Sequence, residues 1–94
     1  MKIEMIKDVV AQIAPLYPVI SIDLFGSFAS GENKADSDID LLVSFDENIA
    51  SVFDMSGLKF DIQGKLNKKI DIVAGPLKED SYLTIDKRIR IYEA

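Results

Sequence analysis

Apolar residues recur at intervals of three and four from the start of the chain: Ile3, Ile6, Val10 and Ile13. That spacing predicts an amphipathic helix, which should stop before Pro15, with Pro18 marking a turn. From Val19 to Phe25 the pattern turns β-rich, placing Ile20, Ile22 and Leu24 on one face, and it runs straight into Gly26-Ser27. Phe28 to Ser30 reads as one helical turn before Gly31, and Glu32 to Ser37 as a polar loop. Asp38 to Phe45 alternates: Ile39, Leu41, Val43 and Phe45 face one way, Asp38, Asp40, Leu42 and Ser44 the other. A second long helix is expected over 49–67, with Val52, Met55, Leu58, Ile62 and Leu66 as its buried stripe. Gly57 and Gly64 should each weaken it by about 1 kcal/mol relative to Ala. Ile70 to Val73 reads as a short strand closed by Gly75-Pro76, Asp80 to Lys87 as a short helix, and Arg88 to Tyr92 as an edge strand. This order predicts an α/β fold of the α+β kind: a small mixed β-sheet with helices packed on it, in a single domain spanning 1–94.

Composition narrows the chemistry more than the fold. The chain has no Cys and no His, which excludes a disulfide framework, a thiolate nucleophile, a Ser-His-Asp triad and any Cys- or His-ligated metal. Acid–base or metal chemistry must come from carboxylates, Lys, Tyr, hydroxyls or backbone, a hard oxygen set suited to magnesium or manganese. The net charge is −5. Its acidic front half argues against nucleic acid as a partner. No apolar run is long enough to span a membrane, and Glu4 interrupts any signal-peptide pattern, so a cytoplasmic protein is expected.

Three features carry candidate chemistry. Gly26-Ser27 ends a strand and opens a helical turn, where backbone N–H groups can approach an anion; taken alone, the pair is more often a tight turn. Gly26 and Gly31 match the two glycines of a P-loop, but Glu32 stands where its lysine must be, so a P-loop is rejected. Asp38-Ile39-Asp40 places two carboxylates on one side of a strand, ~6.6 Å apart at Cα. A lone pair of this kind is more often a polar turn and a solvated strand residue. Asp71 changes the balance, because it interrupts the apolar run Ile70-Asp71-Ile72-Val73. If that strand lies beside the Asp38 strand, three carboxylates share a face and repel one another by about 3 kcal/mol per pair at an effective dielectric near 20. A divalent metal site then becomes the better reading.

The segment Leu24-Phe25-Gly26-Ser27-Phe28-Ala29-Ser30-Gly31, followed by Ser37-Asp38-Ile39-Asp40-Leu41-Leu42-Val43, resembles the nucleotidyltransferase superfamily that includes DNA polymerase β. The small size, with Lys68-Lys69-Ile70-Asp71-Ile72-Val73 as third-carboxylate element, is similar to its minimal nucleotidyltransferase branch, the MNT antitoxins that pair with HEPN-domain toxins.

The resemblance implies that Gly26 and Ser27 hold a nucleoside triphosphate, with ATP the expected substrate. Asp38 and Asp40 would ligate two magnesium ions; Asp71 would complete the second metal site and help deprotonate an acceptor hydroxyl. Many relatives carry a basic residue, usually Arg, where this sequence has Ser30, a departure expected to weaken phosphate binding. The elements above leave no second lobe for a primer or an antibiotic. A protein acceptor is therefore expected, and the resemblance to the MNT antitoxins implies that it is a HEPN-type ribonuclease toxin, modified with AMP on a tyrosine hydroxyl. The alternative is an antitoxin of the same fold that blocks the toxin by contact alone. Phe53, Met55 and Phe60 are expected in the core or at an interface, Phe28 against the first strand or the nucleotide, and Arg88 and Arg90 against a partner.

Overall fold

The computed structural model describes residues 2–31, 38–75 and 88–94, apart from the side chains of Ser27 and Ser30. The expected polar loop at 32–37, Pro76 and the expected short helix at 80–87 lie outside the described residues.

The three–four spacing at the start of the chain forms α1 (Ile3–Ile13), with Ile6, Val10 and Ile13 buried. Pro15 ends the α-helical hydrogen bonding, and a 3-10 turn at Ala14–Leu16 carries the chain onward. β1 (Val19–Phe25), α2 (Ser27–Ser30), β2 (Ile39–Phe45), α3 (Val52–Leu66), β3 (Ile70–Gly75) and β4 (Arg88–Glu93) follow. The strands make one sheet in the order β3-β2-β1-β4. β1 is antiparallel to both β2 and β4, whereas β2 and β3 are parallel, so the sheet is mixed as expected. A parallel step needs a crossover connection, and α3 supplies it.

One face of the sheet makes the core. Ile22, Leu24, Ile39, Leu41, Val43, Ile70 and Ile91 meet Ile6, Val10 and Ile13 of α1 and Leu58, Ile62 and Leu66 of α3. Each such side chain contributes about 1.5–3 kcal/mol by leaving water. Phe28 of α2 joins the same cluster, with the Lys68 Nζ 5.8 Å from its ring centroid, so packing and not an open pocket wall is its observed place.

Two expected core positions point outward. Ile20 is exposed and Val19 is buried in its stead, because β1 carries a bulge there: Val19 pairs with Phe45 and Ser21 with Ser44, leaving Ile20 as the extra residue. Val52 is exposed as well. The helix begins later than expected, since the Ser51 N–H donates to Asp54 Oδ2 at 2.8 Å and caps it, while Ile49 and Ala50 form a turn closed on the Asp46 carbonyl. Along the stripe, burial grows from exposed Val52 through half-buried Met55 to fully buried Leu58, so the first turn of α3 stands outside the packed layer. Phe53 and Phe60 lie on the outer side of the helix, away from the core, at 82% and 74% exposure.

The far end of α3 is fastened to β3. Asn67 adopts a left-handed conformation, φ 53°, and donates its N–H to the Gln63 carbonyl at 2.8 Å. The Gln63 Oε1 in turn accepts the Ile70 N–H at 3.0 Å. These contacts fix where β3 starts, one residue before Asp71.

Candidate active site

β2 and β3 run side by side in a register that sets Ile39 opposite Ile70 and Asp40 opposite Asp71. Directly paired residues share a face. With Ile39 and Ile70 committed to the core, Asp40 and Asp71 are both turned to the face that α1 and α3 do not cover. Asp38 lies two residues before Asp40, just ahead of β2, where the Ile39 N–H donates to the Lys69 carbonyl at 3.0 Å. Its carboxylate is 3.6 Å from Lys69 Nζ, a contact between two solvent-exposed side chains that adds little stability.

The glycine turn closes the other side. Phe25 pairs with Asp40, so the chain leaves β1 beside that carboxylate. Gly26 has φ +75°, and a β-carbon there would fall 2.2 Å from Asp40 Oδ2. Only glycine serves both needs. Its carbonyl accepts the Ala29 N–H at 3.1 Å, which tightens the first turn of α2.

Electrostatics mark Asp40 as the strained member. Burial pushes its pKa up from the ordinary carboxylate range, and the charges of Asp71 and then Asp38 push it further. Among the described residues, no three carboxylates are drawn closely enough together to hold a metal ion as they stand. The structure thus unites Gly26, Asp40 and Asp71, whereas the Asp38 carboxylate rests on Lys69. Ser27 begins α2 directly after the glycine turn.

Asp23 is a feature that the sequence pattern did not single out. It sits between Ile22 and Leu24 in β1, is 5% exposed, and accepts a hydrogen bond from Arg90 Nε. The signal was available: like Asp71, it is an acid inside an apolar run. Arg90 also donates to Glu93 at 3.1 Å, and Arg88 Nε lies 3.8 Å from the second Asp23 oxygen.

A mixed sheet with helices on one face, and a glycine turn pressed against paired carboxylates at one end, has the architecture of a nucleotidyltransferase. The sequence profile of the nucleotidyltransferase domain matches residues 3–92, and the chain belongs to that family. A Methanocaldococcus jannaschii chain that carries a protein adenylyltransferase name is 36% identical over 87 residues, covering 88% of this chain and 92% of its own. Among solved structures, one chain of a toxin–antitoxin complex crystallised with AMP-PNP superposes with a TM-score of 0.72 at 18% identity, covering 94% of this chain and 73% of that one. A chain from the tri-AMPylated Shewanella oneidensis HEPN toxin in complex with MNT antitoxin gives 0.64 at 15% identity, covering 97% and 72%. At those identities the two likenesses show a shared fold alone. No described helix is long and apolar enough to cross a membrane.

Proposed function

We propose that the chain is a magnesium-dependent protein adenylyltransferase serving as a cytoplasmic antitoxin. It moves AMP from ATP to a tyrosine hydroxyl of a HEPN-type toxin and so neutralises the toxin. The observation that carries this reading is the placement of Asp40 opposite Asp71 and against Gly26. Family membership and a relative of matching length that bears the adenylyltransferase name support it. The toxin as partner is supported by the fold shared with chains of toxin–antitoxin complexes.

The donor set fits hard divalent cations. It is all carboxylate oxygen in a chain without His or Cys, and its central member, Asp40, is held protonation-prone by burial and by its neighbours' charge. Asp38 and Asp40 would hold one ion, and the same pair with Asp71 a second. Bound there, magnesium would offset triphosphate charge and lower the pKa of the acceptor hydroxyl.

The remaining work falls to the chain itself. Gly26 lets the triphosphate approach the backbone without a side chain between them, and Ser27 follows it as the first residue of α2. The acceptor oxygen bonds to the α-phosphorus as the bridging bond to the β-phosphate breaks. Pyrophosphate leaves with the electron pair, and Asp71 receives the hydroxyl proton. In-line placement of the acceptor and the α-phosphate, not covalent chemistry by the enzyme, supplies the rate.

The test is transfer of labelled AMP from ATP to a co-purified HEPN toxin. Asp38→Asn combined with Asp40→Asn should abolish magnesium-dependent transfer while the circular dichroism spectrum stays native. Transfer at the wild-type rate by the double variant would remove these residues from the reaction.

A further inference from the structure

A carboxylate as buried as Asp23 needs a cation, and β4 brings two. Arg90 is its direct partner in the β1–β4 pairing and hydrogen-bonds it through Nε. Arg88 stands in a different relation. Its Nε is 3.8 Å from Asp23 Oδ2, beyond hydrogen-bond range, and its side chain is 52% exposed. Arg90 meets the buried charge by contact, which leaves Arg88 a loosely held second cation.

The register gives that cation a position. Arg88 lies opposite Phe25 in β1, Phe25 opposite Asp40 in β2, and Asp40 opposite Asp71 in β3. The four residues form one row across the sheet and share the face that α1 and α3 do not cover, because directly paired residues point the same way. Two strand spacings, ~10 Å, separate the Arg88 and Asp40 α-carbons. An extended arginine and a triphosphate lying along the row span that gap together. Arg88 is the one cation of a row that otherwise ends in two carboxylates, and a guanidinium binds phosphate oxygens in a two-pronged fashion.

Resting on the transferase reading above, we propose that Arg88 binds the β- and γ-phosphates of the nucleoside triphosphate, with Asp23 as the positioning residue that holds it on the substrate face. In the substrate-free chain Arg88 leans on Asp23; with nucleotide bound it swings across Phe25 onto the phosphates. Arg90 stays behind to neutralise Asp23.

The experiment is ATP binding in the presence of magnesium, read by titration calorimetry, with melting temperature recorded for each variant. Arg88→Gln should weaken Kd about ten-fold, the effect of losing one charge-assisted contact. Arg88→Lys should recover part of that loss. Asp23→Asn with Arg88→Gln removes the buried charge along with its second cation, and should regain melting temperature while binding ATP no better than Arg88→Gln. A Kd for Arg88→Gln within about two-fold of wild type overturns the assignment. So does full recovery of affinity in the double variant, which would mean that Arg88 acts only by neutralising Asp23. A wild-type chain that binds no ATP overturns both this inference and the transferase reading. Tight, Arg88-dependent binding without AMP transfer supports the assignment of Arg88 and overturns the transferase alone.

Discussion

Asp40 fills the space beside Gly26 so closely that a β-carbon on the glycine would lie 2.2 Å from Asp40 Oδ2. The two residues are fourteen positions apart in sequence and meet only because Phe25 and Asp40 pair across β1 and β2. The glycine turn and the carboxylate are therefore one structural unit. Gly26→Ala should fail on two counts, overlap with Asp40 and a left-handed φ of +75°. Chemical denaturation should show a loss of about 1–3 kcal/mol, and calorimetry a loss of ATP affinity. Unchanged stability would mean that Asp40 does not occupy this place.

Asp40 also sets a pH dependence. Burial first, and then the charges of Asp71 and Asp38, raise its pKa in the folded chain. A carboxyl group of this kind contributes stability that is fully present below its unfolded pKa and is lost as pH rises through the folded value. Asp40→Asn, which keeps the shape and removes the charge, should therefore melt higher than wild type near neutral pH. The difference should shrink on acidification through the raised value and vanish below the ordinary aspartate range. Magnesium should narrow it from the other side, by stabilising wild type more than the variant. Thermal melts across pH, with and without magnesium chloride, read all of this. A wild type that outlasts the variant at neutral pH without metal contradicts it.

The two glycines of α3 should respond oppositely to the same substitution. A β-carbon at Gly57 would lie 2.8 Å from the Tyr17 hydroxyl oxygen and 2.9 Å from Cε1, whereas nothing lies within 4 Å at Gly64. Tyr17 is not free to yield, because its hydroxyl donates to Asp61 Oδ2 at 2.5 Å. That hydrogen bond, reinforced by burial and by the charges of Asp61 and Asp54, raises the Tyr17 pKa. Gly64→Ala should stabilise the chain by about 0.5–1 kcal/mol through helix propensity. Gly57→Ala should lose that gain and more, by about 1 kcal/mol net, as Tyr17 is pushed from Asp61. Equal stabilisation by both variants in urea unfolding would contradict the packing of Tyr17 on α3.

These contrasts show what a linear pattern carries. Alternation placed Ile39, Leu41 and Val43 in the core, and the acid inside Ile70-Asp71-Ile72 marked the face opposite to it. Both signals are local, and the resulting β2–β3 pairing brought Asp40 opposite Asp71. The same local signal at Asp23 was as strong, but its meaning depends on Arg90, sixty-seven positions away, and on the β4 register. Ile20 was misplaced because alternation assumes an unbroken ladder; the bulge moves the chain by one residue there, where the Ala94 N–H reaches the Ile20 carbonyl. The start of α3 was readable in Ser51 and Asp54, a helix-opening pair that outweighs the apolar Ile49 before it. Arg88 and Arg90, expected to face a partner, also group around Asp23, an arrangement that depends on the β4 register and that the linear pattern does not show.

The most direct test of AMP transfer is the intact mass of a HEPN toxin co-expressed with this chain, paired with the toxin's ribonuclease activity. Asp71→Asn should spare much of the ATP binding, since Gly26, Ser27, Asp38 and Asp40 remain, and should lose mainly the chemical step. With the wild-type chain, the toxin should be heavier by whole AMP units and inactive as a ribonuclease. With Asp71→Asn, the toxin should be unmodified and its ribonuclease activity restored. An unmodified toxin that is nevertheless fully silenced by Asp71→Asn would overturn AMP transfer as the means of neutralisation and leave contact alone.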